Sequence, residues 1–348
     1  MAPRKKKAPH RDGKWWHSSN KDLALYRRAR SPRARGVTKQ PVPPPRRLRK
    51  PQLTRRGWYV TGSVVAAVLA LALFVVPRPS RAIISLVRPA LAPDEQQVPS
   101  SVAAAVSGVT VRDMVLASEH KGVKITPPVG LPDSAARIAT GNKPELLYMC
   151  NEYNGYCADL SWPLVMALDK FGSFDRLGYV MSRGSNNPGT VALDFYASTY
   201  SSKYLSFVSD EMYTTRLAKP DHWQVLQTPT AAENVQMYDW DVPPYASPAH
   251  AIPFLDFGGH YYMASPGYRG QDLEGLSEDA AQALSGTADE LVGGRSSSAV
   301  AAQDLAAHIV GAICLMTGKT PPPCHGLPKA LEEPPLPSSF YEQTGAPS

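Results

Sequence analysis

The sequence after residue 106 predicts an α/β domain, and the first observation is a strand–helix–strand order. The apolar run Glu145–Cys150 has the length of a buried strand. Asp159–Phe171 follows with apolar residues at helical spacing, and Leu177–Ser182 again has the pattern of a strand.

A hairpin and a long helix complete the α/β pattern. Ile252–Phe257 and His260–Ala264 are strand-like runs on either side of Gly258 and Gly259, and paired glycines between two strands are a strong hairpin signal. Ala299–Thr317 has the composition of a good helix. Strand, helix, strand, hairpin and helix in this order indicate an α/β fold. The aromatic- and turn-rich region between 182 and 251 is long enough to contain elements of its own.

The charge of the chain is divided sharply at residue 57. Residues 1–57 carry 19 Lys and Arg against two Asp and Glu, whereas the remainder carries 18 basic and 28 acidic residues, so the net charges are +17 and −10. Residues 58–76 then form a run of 19 residues without a charge. At 1.5 Å per residue such a helix is about 28 Å long, close to the thickness of a bilayer's hydrocarbon core. The sequence therefore predicts one transmembrane helix over 58–76.

A buried core helix and a cleaved signal peptide are the alternatives to this anchor. Flanking charges and uniform apolarity argue against the first, and a basic region of more than fifty residues before a long apolar segment argues against the second. Because basic residues before the segment far outnumber those after it, we expect the N-terminus in the cytoplasm and the domain outside the cell membrane.

These patterns predict five parts of the chain. Residues 1–57 are expected to be a disordered basic cytoplasmic tail, followed by the transmembrane helix 58–76 and a spacer over 77–105. The folded extracytoplasmic domain is placed at 106–324, and 325–348 is expected to be a loose Pro-rich tail. The basic tail favours membrane lipid as its partner over nucleic acid, because no nucleic-acid recognition motif accompanies the charge.

The four cysteines all lie on the predicted outer side, where disulfides persist. Four cysteines permit three pairings, of which the two local pairs are the economical choice. Cys314 ends the predicted helix and Cys324 follows the turn GKTPPP, so we expect a structural disulfide between them. The histidines form no ligand pattern near a cysteine pair, so no metal site or cofactor is expected.

Cys150 and Cys157 flank the junction between the predicted strand and helix, and two roles are open to them. In the first turn of a helix, Cys157 meets unpaired N–H groups that stabilise a thiolate, which makes it a candidate redox residue. The alternative is a buried or disulfide-bonded structural role. The spacing C-x6-C favours this alternative, because it is not a recognised redox or zinc spacing.

The run GNKPELLYMCNEYNGYCADLSWPLVMALDKFG resembles the core of membrane-anchored bacterial and archaeal proteins grouped as domain of unknown function 929, whose strand leads through EYCPYCA into a helix. The likeness continues through FYASTYSSKYLSF and AIPFLDFGGHYYM to ICLMTGKTPPPC, and it covers residues 98–324. The resemblance implies a thioredoxin-like domain with insertions. It also implies a C-x-x-C motif with an exposed nucleophilic cysteine followed by a resolving thiol.

This sequence departs from the family pattern at the motif itself. Asn154 stands where the first cysteine is expected and Gly155 where the proline is expected, while Cys157 keeps the resolving position. A carboxamide cannot attack a disulfide, so the usual dithiol cycle cannot operate. Cys150 is additional to the family pattern and is a candidate partner for Cys157 if the geometry permits.

The resemblance also assigns a role to Pro253. It implies a cis peptide bond between Ile252 and Pro253, at the start of the strand that faces the dithiol, with the backbone of Ile252 free to pair with an extended substrate. The alternative is an ordinary proline at a strand start, since only about 5% of X–Pro bonds are cis.

Together these observations predict a membrane-anchored extracytoplasmic thioredoxin-like protein that lacks ordinary dithiol activity and binds an extended peptide or protein partner. If the chain is an enzyme, it is an atypical thiol–disulfide oxidoreductase that uses Cys157 with or without Cys150. A third possibility is a structural envelope-assembly protein that acts through its basic tail.

Overall fold

The computed structural model describes residues 91–332 apart from 93, 186–188, 244 and 247. The predicted basic tail over 1–57 and the predicted transmembrane helix over 58–76 lie outside the described residues.

The described chain is a mixed α/β protein. Its strands are β1 Gln96–Gln97, β2 Val129–Gly130, β3 Ala139–Thr140, β4 Lys143–Cys150, β5 Gly172–Asp175, β6 Gly178–Met181, β7 Val191–Asp194, β8 Thr199–Ser202, β9 Ser206–Glu211, β10 Tyr213–Lys219, β11 His222–Val225, β12 Phe254–Phe257 and β13 Tyr261–Met263. Its α-helices are α1 Ser100–Gly108, α2 Val111–Ser118, α3 Gly155–Leu168, α4 Ala231–Trp240, α5 Ala280–Gly293, α6 Ser297–Met316 and α7 Lys329–Glu332.

The central sheet is built around β4. This strand pairs in parallel with β9 and antiparallel with β12, which in turn pairs with β13, and the short strands β2 and β3 extend the sheet. Residues 145–150 of β4 are all buried, as expected for a strand covered on both faces. The predicted strand over Glu145–Cys150 is therefore confirmed, and it occupies a central position.

Two largely buried helices form the core beside this sheet. Nearly every residue of α3 and α6 is buried, and the two helices pack against each other. Trp162 of α3 is fully buried, and its indole Nε1 donates a hydrogen bond to the carbonyl oxygen of Val191 at 2.9 Å. That bond satisfies the polar atom of a large apolar side chain and ties α3 to β7.

The predicted hairpin is confirmed as β12 and β13. Gly258 and Gly259 both have positive φ, at 63° and 70°, and the N–H of His260 donates to the carbonyl oxygen of Phe257. This is the backbone that paired glycines permit in a tight hairpin turn. A Cβ atom at Gly259 would come within 2.0 Å of the carbonyl oxygen of Ala136, so the neighbouring chain also excludes a side chain there.

Among the described helices, α6 alone is long and apolar enough by itself to cross a membrane. In its most apolar window, 83% of the residues are buried inside the protein, so α6 is packed as a core helix is. Helices α1 and α2 meet the same criterion only when taken together, and they are bent by 58° at the break between them.

The fold begins earlier than the boundary predicted at residue 106. Within the predicted spacer 77–105, β1 pairs with β6 and α1 starts at Ser100. Val102 and Val106 lie one helical turn apart on α1, and both are buried. The Pro-containing composition of this stretch concealed a short amphipathic helix that belongs to the core.

The predicted loose tail over 325–348 also begins with packed structure. Helix α7 lies against α6, and Leu331 is buried. Gly311 makes this approach possible, because a Cβ atom there would come within 2.0 Å of the carbonyl oxygen of Leu331. Residues 333–348 lie outside the described residues.

Candidate functional site

The candidate site lies at the junction of β4 and α3, joined by residues 151–154, which we call the motif loop. Asn154 is the N-cap of α3, and its Oδ1 accepts a hydrogen bond from the N–H of Tyr156 at 2.9 Å. A side-chain oxygen at this position satisfies one of the N–H groups that a helix leaves unpaired at its start. Asn154, where the resemblance implies a cysteine, therefore caps the helix in this chain.

Cys150 and Cys157 form a disulfide across the motif loop, with 5.9 Å between their Cα atoms. Cys150 is 0% exposed and Cys157 is 2% exposed. The N–H of Asn151 points to Sγ of Cys157 at 3.4 Å. Cys150 thus pairs with Cys157, and both residues of the bond are shielded from solvent.

The Ile252–Pro253 peptide bond is cis. Phe254, the next residue, pairs with Met149 of β4, so continuing this antiparallel register by one residue puts Pro253 beside Cys150. Pro253 is buried and Ile252 is half-buried. The structure therefore brings Cys150, Cys157 and the cis-proline to one place, although they come from distant parts of the sequence.

A second hairpin, formed by β10 and β11, covers the motif loop, and we call it the covering hairpin. The N–H of Glu152 donates to the carbonyl oxygen of Tyr213 at 2.9 Å, and the N–H of Met212 donates to the carbonyl oxygen of Cys150 at 2.8 Å. The ring of Tyr153 stacks on Trp223 of β11, with 4.3 Å between centroids and 7° between planes. Backbone bonds that continue the parallel pairing of β4 with β9, together with aromatic stacking, hold the hairpin against the motif loop.

An ion pair holds the covering hairpin to the start of the described chain. Arg216 of β10 donates to both carboxylate oxygens of Asp94, from Nε at 2.9 Å and from Nη2 at 2.6 Å. The hydroxyl of Thr215 donates to the same carboxylate at 2.8 Å. These hydrogen bonds, above all that from Arg216, lower the pKa of Asp94.

Four buried carboxyl groups interact with one another at the motif loop, and this cluster was not predicted from the sequence. Burial and the nearby Asp194 raise the pKa of Glu152 to about 10 and that of Glu95 to about 7. Burial raises the pKa of Asp194 to about 6. Burial and the carboxyls of Asp194 and Glu152 raise the pKa of Glu211 well above its usual range. Like charges this close in a buried site keep some of these groups protonated near neutral pH.

The second disulfide lies away from this site. Cys314, near the end of α6, is bonded to Cys324 in the turn Pro322–Cys324, with 5.5 Å between Cα atoms. Both residues are buried. The predicted pairing is found, and its position at a helix end suits a structural link. Among the described residues, no group of three or more His, Cys, Asp or Glu side chains is arranged to hold a metal ion.

Fold and site together define a class: a mixed α/β domain in which a buried disulfide closes a strand–helix junction beside a cis-proline. The chain belongs to the family described as Domain of unknown function (DUF929), whose model matches residues 133–310, half of the chain. No curated protein and no solved structure matches it. Membership agrees with the resemblance found in the sequence, although the match is narrower than residues 98–324.

Proposed function

We propose that this protein is a thioredoxin-like binding protein that has lost dithiol chemistry and holds an extended peptide segment beside its cis-proline. The order of elements supports the thioredoxin-like part. Strand β4 leads through α3 to the parallel strand β9, then to the antiparallel pair β12–β13 and the helix α6. The family resemblance implies the same arrangement, with the motif at the start of the first helix.

The motif supports the loss of dithiol chemistry. A dithiol cycle needs an exposed thiolate that attacks a disulfide, and its rate depends on access to that sulfur. Here Asn154 caps the helix, and both cysteines of the motif region are bonded to each other and buried. The same contacts argue against the alternative in which Cys157, with or without Cys150, acts as an atypical oxidoreductase.

The observation that carries the binding proposal is the position of Pro253 beside Cys150. Pro253 lies at the start of β12, where the sheet meets the motif, and Ile252 is only half-buried. An extended peptide that pairs with backbone at such a position gains main-chain hydrogen bonds without requiring one particular sequence. An isolated structural proline would not explain its placement beside the disulfide.

The location of the protein is part of this proposal. The apolar run over 58–76 would anchor the domain in the cell membrane, with the basic tail over 1–57 against cytoplasmic lipid and the domain outside. Two disulfides among the described residues support an oxidising compartment, because such bonds are rare in the cytosol.

The test uses the full-length chain in detergent and has two readouts. In an insulin-reduction assay with dithiothreitol, we expect no acceleration over the reaction without protein, and a rate like that of thioredoxin would refute the loss of dithiol chemistry. In the second readout, a peptide array is probed with the wild type, Pro253→Ala and the exposed control Pro99→Ala. We expect binding that falls at least tenfold in Pro253→Ala and persists in Pro99→Ala. An array without bound peptides would refute the binding role.

A further inference from the structure

An open cleft of about 730 Å³ lies at the start of α3, next to the motif. It is formed by three parts of the chain: residues 122–126, residues 265–269 after β13, and the first turns of α3 and α6. Tyr156, the second residue of α3, is one of the lining residues. The volume is within the range of about 300–1,000 Å³ that is typical of ligand sites.

The disulfide connects this cleft to the cis-proline. Pro253 lies beside Cys150 in the β4–β12 register, Cys150 is bonded to Cys157, and Tyr156, the chain neighbour of Cys157, lines the cleft. A segment bound beside Pro253 is therefore close to the cleft.

The charge of the cleft is opposite to that of the rest of the domain. Lys124 and Arg269 are both exposed at its wall, and no Asp or Glu is among the described residues that line it. The chain beyond residue 57 carries a net charge of −10, so a lining whose charged residues are all basic differs in sign from the chain around it. Two carboxylates lie next to the lining residues. Asp272 accepts hydrogen bonds from the hydroxyl of Ser297 and the N–H of Ser298 at 3.0 and 3.1 Å, and the carboxylate of Asp159 lies beside Gly270, the residue after Arg269.

We infer that this basic cleft selects an acidic side chain in the extended peptide segment that the proposed function places beside Pro253. The guanidinium of Arg269 can donate two parallel hydrogen bonds to a carboxylate, and the ammonium of Lys124 adds a second positive charge. Tyr156 supplies an aromatic wall at the junction with the motif. The inference rests on the proposed function and adds the chemical class of the ligand.

The experiment measures fluorescence anisotropy with the full-length chain in detergent. The probes are fluorescein-labelled nonapeptides of alternating Ala and Ser that carry Glu-Glu or Gln-Gln at successive central positions. We expect the best Glu-Glu peptide to bind at least fivefold more tightly than its Gln-Gln counterpart at low salt, with the difference shrinking at 1 M salt. The variant Lys124→Gln/Arg269→Gln removes this preference. The control variant Lys203→Gln/Lys219→Gln, which removes two exposed basic residues elsewhere, keeps it.

The outcomes separate this inference from the proposed function. Equal binding of the two peptides, lost in Pro253→Ala, would overturn the acidic selectivity and leave the peptide-binding function standing. A preference that the Lys124→Gln/Arg269→Gln variant retains would place the recognition elsewhere and also overturn the inference. Binding of phosphatidylglycerol vesicles that requires Lys124 and Arg269, without any preference among peptides, would assign the cleft to a lipid surface instead.

Discussion

The two sides of the motif loop differ in access. On one side, the covering hairpin makes backbone bonds to Cys150 and Glu152 and stacks Trp223 on Tyr153. On the side of α3, Tyr156 borders an open cleft whose charged lining residues are Lys124 and Arg269. The disulfide of this motif is therefore buried while the surface beside it stays open. Asn154 caps the helix that carries both Tyr156 and Cys157.

The largest effect expected on the closed side follows from removing its disulfide. Closing a loop of seven residues, the separation of Cys150 and Cys157, stabilises a protein by about 2–3 kcal/mol in the chain-entropy description. We expect the double variant Cys150→Ala/Cys157→Ala to lose about 3 kcal/mol in the free energy of unfolding, measured with urea. Cys314→Ala/Cys324→Ala, with a separation of ten residues, is the matched comparison and should lose a similar amount.

The outcome for peptide binding distinguishes a structural disulfide from a functional one. If the bond only holds the strand–helix junction together, the folded Cys150→Ala/Cys157→Ala variant retains peptide binding at low temperature. Suppose instead that the folded Cys150→Ala/Cys157→Ala variant loses binding while Cys314→Ala/Cys324→Ala keeps it. This outcome would contradict the comparison, because the Cys150–Cys157 disulfide would then contribute directly to peptide binding.

The buried carboxyl groups give an effect of intermediate size with a definite sign. In the unfolded chain Glu152 ionises near 4.5, whereas burial and Asp194 raise its pKa in the folded state to about 10. Between these values the unfolded chain releases a proton that the folded state retains, so this group stabilises the fold fully below pH 4.5 and progressively less as the pH rises toward 10. The variant Glu152→Gln removes this loss, and we expect it to be more stable than the wild type by about 2 kcal/mol at pH 8, with little difference at pH 4.

Urea unfolding at pH 4, 6 and 8 measures this effect. Glu278→Gln replaces an exposed glutamate outside the cluster and should parallel the wild type. If Glu152→Gln lowers the free energy of unfolding equally at every pH, the carboxyl group is held by specific hydrogen bonds. Its ionisation would then not destabilise the folded state.

The smallest expected effect concerns the contact between the covering hairpin and the motif loop. The parallel stack of Tyr153 on Trp223 is worth about 1 kcal/mol beyond the burial of its area. We expect Trp223→Ala to increase the rate at which a phosphine reductant opens the Cys150–Cys157 disulfide several-fold, as measured by alkylation and mass spectrometry. Val225→Ala, at an exposed position on the same strand, is the control and should leave the rate unchanged. Equal rates in all three proteins would mean that the hairpin does not limit access.

Local patterns predicted much of this fold. The apolar run at Glu145–Cys150, the helical spacing after it and the paired glycines at 258 and 259 each specify conformation within a few residues, and each element is present. The boundary near residue 106 was placed too late, because Pro-rich composition obscured the spacing of Val102 and Val106. The region between 182 and 251 contains β7–β11 and α4, whose short strands have too little periodicity to be read one by one.

What the sequence determined by itself is local: a strand that ends at Cys150, a helix that follows it, and the pairing of Cys314 with Cys324. These depend on residues close together in the chain. Only the tertiary structure decided that Cys150 and Cys157 are bonded and buried, and that the carboxyl groups at 95, 152, 194 and 211 interact in the interior. It also decided that Lys124 and Arg269 face the same cleft as Tyr156. The physical reason is distance along the chain, because burial and charge depend on neighbours that long-range packing alone brings together.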